Sequence, residues 1–245
     1  MKLVLLPGMD GTGILFEALL SELSNMDVLS LPLPKDGPQD YESLSAYVAK
    51  HLPKEDFILV AESFSGGIAA TLSTKNYSHM KAIIFVASFL SAPKKLIAYF
   101  ASFLPLRALS HLPFSSIVHR FLFLGKTADT AEIKRFRCAI KSVPSSVLKS
   151  RLRVIAKSQY SGFKSSLPAV YIGATSDMLV SSNKREEFKE AYREITFAEL
   201  KGPHFILQAQ PQVGAAAIIK AAHLLTSQYS SQSSVAVTPQ SGSHN

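Results

Sequence analysis

Phe57-Ile58-Leu59-Val60-Ala61-Glu62-Ser63-Phe64-Ser65-Gly66-Gly67-Ile68-Ala69-Ala70 is the stretch whose reading decides the fold. Four consecutive apolar residues, two of them β-branched, predict a fully buried strand. The run breaks on small residues at Ser63, and an alanine-rich helical pattern follows. Strand, sharp turn and helix with a serine at the apex is the arrangement of a nucleophile elbow. Its requirement is steric. The turn holds the serine in a strained backbone conformation, so bulky side chains two positions either side would strike the flanking strand and helix. Ala61 and Ser65 stand at those positions, where the pattern G-x-S-x-G has glycines. Gly66 and Gly67 let the helix pack close to the sheet. Taken alone, the same stretch also reads as an ordinary strand-to-helix turn with a serine N-cap.

Outward from the elbow, short apolar runs at residues 3–6, 27–33, 82–87, 169–174 and 195–198 predict further strands. Helical patterns fall at 14–23, 41–52, 184–192 and 213–225, between the strands. Alternation of this kind predicts an α/β fold: a doubly wound, mostly parallel sheet covered on both faces. Residues 92–166 carry helical patterns and no clear strand, and predict a helical lid inserted after the fourth strand. The expected organisation is a core of residues 1–91 and 167–226, a lid at 92–166, and an uncharged Ser/Gln-rich tail at 227–245 that reads as disordered. Ligands of such sheets bind beyond the carboxyl ends of the strands, so the lid would roof Ser63.

The 245 residues, 47% hydrophobic and 18% charged, suit one globular domain with an insertion. The single cysteine, Cys138, cannot form an internal disulfide and points to a reducing compartment. Residues 3–6 are too short for a secretory h-region and run straight into Pro7-Gly8. The most apolar region, 96–125, is cut by Arg107, His111, His119, Arg120 and two prolines, which excludes a membrane span there. A cytoplasmic location is the expectation. The net charge of +8 is uneven: residues 92–166 hold eight lysines and six arginines against Asp129 and Glu132. One reading is an amphipathic cap with its lysines in water. A sharper one adds an apolar acyl tunnel beneath and a basic outer face for an anionic partner, with Arg135, Arg137, Arg151 and Arg153 as candidate contacts, although Arg151 and Arg153, two apart, cannot share one helix face, and one of them is expected to be structural. Acyl-carrier protein, coenzyme A or an anionic membrane surface would fit that face. Nucleic acid would not: no recognised binding motif is present, and the aromatic residues follow apolar helical faces.

A serine hydroxyl is a poor nucleophile until an adjacent base takes its proton, and that base needs an orienting acid. His204, in Lys201-Gly202-Pro203-His204-Phe205, lies in a turn just past the last strand. Asp177 follows the preceding strand, in Ala174-Thr175-Ser176-Asp177-Met178-Leu179-Val180. Each alone has a plain explanation, a solvated loop histidine and a turn-forming aspartate. Their chain order lifts both: Ser63, Asp177 and His204 each sit at the carboxyl end of a different strand. An oxyanion hole needs backbone donors. The N–H of Phe64 is one candidate. The N–H of Met9, in the loop Gly8-Met9-Asp10-Gly11-Thr12-Gly13, is the other. A phosphate cradle competes for this glycine-rich loop, but no G-x-G-x-x-G register fits and no P-loop lysine follows.

With these residues in hand, the chain resembles a member of the α/β-hydrolase superfamily, of the short, lidded esterase or thioesterase-like kind. The resemblance rests on L-L-P-G-M-D-G-T-G as oxyanion loop, A-E-S-F-S-G-G as elbow, A-T-S-D-M-L-V as acid loop and G-P-H-F as histidine loop, and spans roughly residues 2 to 226. It implies Ser63 as nucleophile, His204 as base and Asp177 as orienting acid, with no metal or organic cofactor. Pro7 stands where many relatives have histidine, and the first strand matches the family's third, so the leading hairpin is expected to be missing. A serine nucleophile argues against the dehalogenases and epoxide hydrolases of the superfamily, which use aspartate. Hydrolysis of a carboxylic ester or thioester is the leading expectation. Alternatives are cleavage of a carrier-linked methyl ester of the biotin-synthesis type and acyl transfer, as in plastid acyltransferases with a similar P-G-x-D-G-T-G loop. A catalytically dead hydrolase fold used as a binding module is a third.

Overall fold

The computed structural model describes residues 1–75, 77–93 and 130–235. Six strands form one sheet: β1 (Lys2–Leu6), β2 (Val28–Ser30), β3 (Phe57–Glu62), β4 (Met80–Val86), β5 (Ala169–Ala174) and β6 (Ile195–Leu200). Their order is β2-β1-β3-β4-β5-β6, and every pairing between them is parallel. A parallel strand covered on both faces must be apolar throughout, and every residue of β3 and of β5 is buried. The chain leaves β1 toward one edge of the sheet and returns past it to build β3 to β6 on the other side. Connections therefore diverge between the carboxyl ends of β1 and β3, which opens a crevice there.

The two faces carry separate cores. In β1, Val4 and Leu6 join one cluster with Phe64, Ile68, Phe85 and Phe188, while Leu3 and Leu5 join the other with Leu19, Ile206 and Ile218. This alternation is the two-residue period of a strand. On the first face pack α2 (Tyr41–Ala49), α3 (Ser65–Ser73) and α6 (Arg185–Ala191). On the second pack α1 (Glu17–Glu22), α7 (Ile206–Ala209) and α8 (Pro211–Val235). Asp40 caps α2, its carboxylate accepting from the N–H of Ser43 at 2.8 Å.

The boundaries differ from the sequence reading in informative places. The helix expected over 14–23 begins as a 3-10 turn (Ile14–Phe16), because Gly13 sits at φ +74° and Phe16 N–H closes onto its carbonyl. The second strand shrinks to three residues, since Leu33 N–H turns away to bond Gly11 O, between prolines 32 and 34. The last helix does not stop at 225. It runs to Val235, so the first part of the stretch read as disordered is helical, and the rest of that stretch, 236–245, lies outside the described residues.

A helical insertion follows β4, as expected. Its described part holds α4 (Thr130–Lys141) and α5 (Ser145–Lys157); the greasy stretch 94–129 lies outside the described residues. Ala92 N–H donates to Ser158 O at 2.9 Å, so the chain enters and leaves the insertion side by side. Among the described residues no helix is long and apolar enough to cross a membrane.

Candidate active site

Ser63 follows β3 at φ +49°, a left-handed conformation that costs an L-residue roughly 1–2 kcal/mol. Two contacts hold it there. Its N–H donates to Val86 O at 2.9 Å, and the buried Ser88 hydroxyl lies 3.1 Å from its carbonyl oxygen and 3.0 Å from that of Ala61. The glycines after the elbow have separate uses. A Cβ on Gly66 would stand 2.8 Å from Ser88 Cβ, so this glycine lets α3 meet the end of β4. A Cβ on Gly67 would come within 2.3 Å of the Tyr41 ring, so that one makes room for α2. Ser65 is more than small: its buried hydroxyl donates to Pro7 O and ties the elbow to the loop after β1.

Beyond β5 and β6 stand Asp177 and His204. Asp177 Oδ1 accepts from the N–H groups of Leu179 at 2.8 Å and Val180 at 2.9 Å. Its Oδ2 lies 2.7 Å from His204 Nδ1, and His204 Nε2 lies 2.9 Å from Ser63 Oγ. Ser176 N–H donates to Gly202 O at 2.9 Å and staples the two loops together. Burial pushes the Asp177 carboxyl up, but the charge and hydrogen bond of His204 and the N–H groups of Val180 and Leu179 outweigh it, and the group lies below its ordinary value. An ionised carboxylate only accepts, so Nδ1 of His204 carries the proton and Nε2 turns a lone pair to the serine hydroxyl. Burial lowers His204, while the charge and hydrogen bond of Asp177, with Glu62 behind, raise it further, and the imidazole sits above its ordinary value.

The loop after β1 is folded on itself. Gly11 N–H bonds Gly8 O at 3.0 Å, and Asp10 Oδ2 accepts from Thr12 N–H at 2.9 Å and from the Thr12 hydroxyl. A Cβ on Gly8 would stand 3.8 Å from Ser63 Cβ, so the Gly8–Met9 peptide, source of the Met9 N–H, lies beside the turn at Ser63. Helix α3 follows directly, with the Phe64 N–H one residue past Ser63. Both backbone donors named from the sequence therefore border the serine.

Arg151 is the structural member of the Arg151/Arg153 pair and not a surface contact. Taken as a contact for an anionic partner on the lid surface, it is wholly buried, with 0% exposure. Its guanidinium donates at 2.9 Å to Met9 O, Asp10 O, Pro34 O and Gln39 Oε1. Gly11, at φ +69°, lies so close that a Cβ there would fall 2.2 Å from Nη1. Desolvation lowers the guanidinium to about 10, with Asp10 opposing, and it stays charged at neutral pH. The other three candidates form no common surface with it. Arg135 pairs with Glu17 of α1 at 3.2 Å, Arg137 is half-buried and Arg153 is exposed.

No protein-family model matches the sequence, and neither does any curated protein. Solved structures do. An esterase from Thermogutta terrifontis superposes with a TM-score of 0.74 at 15% identity, covering 92% of this chain and 90% of its own. A hydrolase from Oleispira antarctica gives 0.75 at 13%, covering 92% and 90%. An enol-lactonase from Burkholderia xenovorans gives 0.70 at 16%, covering 91% of each chain. The fold is that of the α/β-hydrolases.

In this α/β-hydrolase fold two residues of the insertion touch the loops around Ser63. Arg151 of α5 grips the loop after β1, and Phe136 of α4 packs edge-on against Phe205, next to His204, with ring centres 5.8 Å apart. The sequence held a signal for Arg151 that charge counting hides. It lies four residues after Val147 and four before Ile155, on the buried stripe of α5. Glu62 offered a second: it is a lone carboxylate at the end of a fully buried strand.

Proposed function

We propose that this chain is a serine hydrolase that cleaves carboxylic esters or thioesters of an apolar acyl group. The observation that carries the reading is the unbroken hydrogen-bonded line Asp177–His204–Ser63, ending on a serine held at φ +49°. Hydrolase chemistry also runs through the structural neighbours, among them an esterase and an enol-lactonase.

The steps follow from the geometry. Ser63 Oγ attacks the carbonyl carbon as His204 Nε2 takes its proton. The negative charge on the former carbonyl oxygen falls to the N–H groups of Phe64 and Met9. Asp177 stabilises the imidazolium without accepting its proton. Collapse of the tetrahedral intermediate breaks the bond to the alcohol or thiol, which leaves with the proton from His204 Nε2. Water then attacks the acyl-Ser63 ester, giving a proton to His204, and the second collapse releases the acid and restores the serine. A fluorophosphonate probe tests the reading: one equivalent should attach to Ser63, and S63A should take up none. Equal labelling of S63A would refute it.

The basic insertion favours an acyl group delivered on an acidic carrier protein. Lys134, Lys141, Arg153 and Lys157 are exposed on α4 and α5, and the chain elsewhere is net acidic. The domain limits of the core and lid, and a place in the cytoplasm, belong to the same reading.

A further inference from the structure

Glu62 precedes Ser63 and is buried, with 2% exposure, yet the steps above give it no task. It sits where the loop after β1, α7 and the Ser63 turn meet. On the side of β1, Gly8 packs against its carboxyl: a Cβ on Gly8 would stand 3.7 Å from Oε2. On the side of α7, Gln208 Nε2 donates to Oε2 at 3.3 Å, four residues after His204. The charged groups facing it are Asp10 from the loop after β1, itself backed by Arg151 of α5, and His204 from the loop after β6. On β4 the register partner is Val86, which brings no charge.

Two oxygens in this cluster have no partner among the described residues: Glu62 Oε1 and Gln208 Oε1. Both are acceptors, and they belong to two side chains already joined by one hydrogen bond. A carboxylate supplies no donor, whereas a carboxylic acid supplies one. A proton on Oε1 gives this pair the donor it lacks and removes a negative charge from beside the loop that must receive the oxyanion.

We propose that Glu62 is a positioning residue that works as the neutral acid, packed against Gly8 of the oxyanion loop and hydrogen-bonded to Gln208 beyond the histidine loop, on the strand that presents Ser63. Desolvation, with Asp10 adding to it against Gln208, His204 and Gly8, lifts the carboxyl to about 7, so the neutral form is present where the hydrolase works. Loss of that proton sets a second ionisation on the site, opposite in direction to that of His204. His204 must lose its proton for activity, and Glu62 must keep its own.

The inference rests on Ser63 being the nucleophile, so the rate of fluorophosphonate attachment to Ser63 is the measurement, taken from about pH 5 to 9 on the full chain. The rate should rise as His204 deprotonates and fall again as Glu62 ionises. E62Q, whose amide supplies both a donor and an acceptor, should keep the rate within about threefold near pH 6 and lose the alkaline fall, becoming about fivefold or more faster than the unsubstituted protein at pH 8.5. E62L, with neither, should be slower at every pH by about a hundredfold. Should E62Q not fold, infrared difference spectra of the unsubstituted protein should show a protonated carboxyl band disappearing with the midpoint of the alkaline fall. An alkaline fall that survives in E62Q, E62L as fast as the unsubstituted protein, or a carboxyl band that titrates well below the fall overturns the inference. None of these touches the serine-hydrolase reading, which fails only if S63A still reacts.

Discussion

Arg151 and Met9 stand 142 positions apart, and Nη1 of the first donates to the carbonyl oxygen of the second at 2.9 Å. The insertion thereby fixes the peptide that follows the Met9 N–H, the proposed oxyanion donor. R151M leaves four acceptors without their donor, and the expected loss is about 3 kcal/mol or more, read from urea midpoints. R151K keeps a charge but not the fork, and should fall between. R153E, two residues on and exposed, should stay within about 0.5 kcal/mol of the unsubstituted protein. Equal losses at 151 and 153 would contradict the burial of Arg151.

For turnover of a short p-nitrophenyl ester, S63A and H204A should each lower kcat by about 10⁶-fold, and the double substitution should add little, because such residues act as a unit. D177N, which leaves His204 in place but removes the charge that orients it, should cost about 10⁴-fold. Additive losses in the double variant would mean that Ser63 and His204 serve separate steps.

Glu62 also leaves a mark on folding. Its folded value, about 7, lies above the ordinary 4.5, so its favourable contribution is full below the unfolded value and is lost as pH rises through the folded one. Between about pH 4.5 and 7 the unsubstituted protein should lose stability relative to E62Q by something on the order of 3 kcal/mol. Asp177, lowered, contributes in the opposite sense at acid pH and is common to the two proteins, whereas His204, raised in part by the Glu62 charge, is raised less in E62Q and cancels only in part. Parallel urea titrations of E62Q and the unsubstituted protein check it; a constant difference across that range would show that Glu62 folds already ionised.

If an acidic carrier docks on the insertion, its charge acts on encounter. Exposed charges interact over about 8 Å at physiological ionic strength, so added salt should depress kcat/KM for a carrier-linked ester and leave a small neutral ester unchanged. Charge reversal at Arg153 and Lys157 should mimic salt. Arg151 has no place in this experiment, since its reversal would break the site. Equal salt sensitivity for the two substrates would remove the carrier and leave a plain esterase.

Much of this was legible because strand ends are legible. The apolar run Phe57–Val60 placed β3, and the three polar residues Ser63, Asp177 and His204 each followed such a run, so chain order predicted convergence of side chains that are up to 141 positions apart. What was lost depended on facing. The two-residue spacing says that Arg151 and Arg153 face different ways, and the stripe of Val147, Arg151 and Ile155 tells which one points inward. Ser65 was legible as small, but not as a donor to Pro7, because that contact joins two loops whose approach no local pattern encodes. The end of α8 lies beyond the expected boundary because glutamine is a good helix former and serine, though a weaker one, does not break a helix.

Ser63 and Ala87 end neighbouring strands in the same left-handed turn, at φ +49° and +46°. Glycine alone occupies that region freely, so at position 63 the residue the backbone prefers is the one that cannot attack a carbonyl. On the proposed mechanism, stability and reactivity pull this position in opposite directions. A duplicated copy relieved of its substrate would gain by exchanging Ser63 for glycine, and its fold would outlast its chemistry.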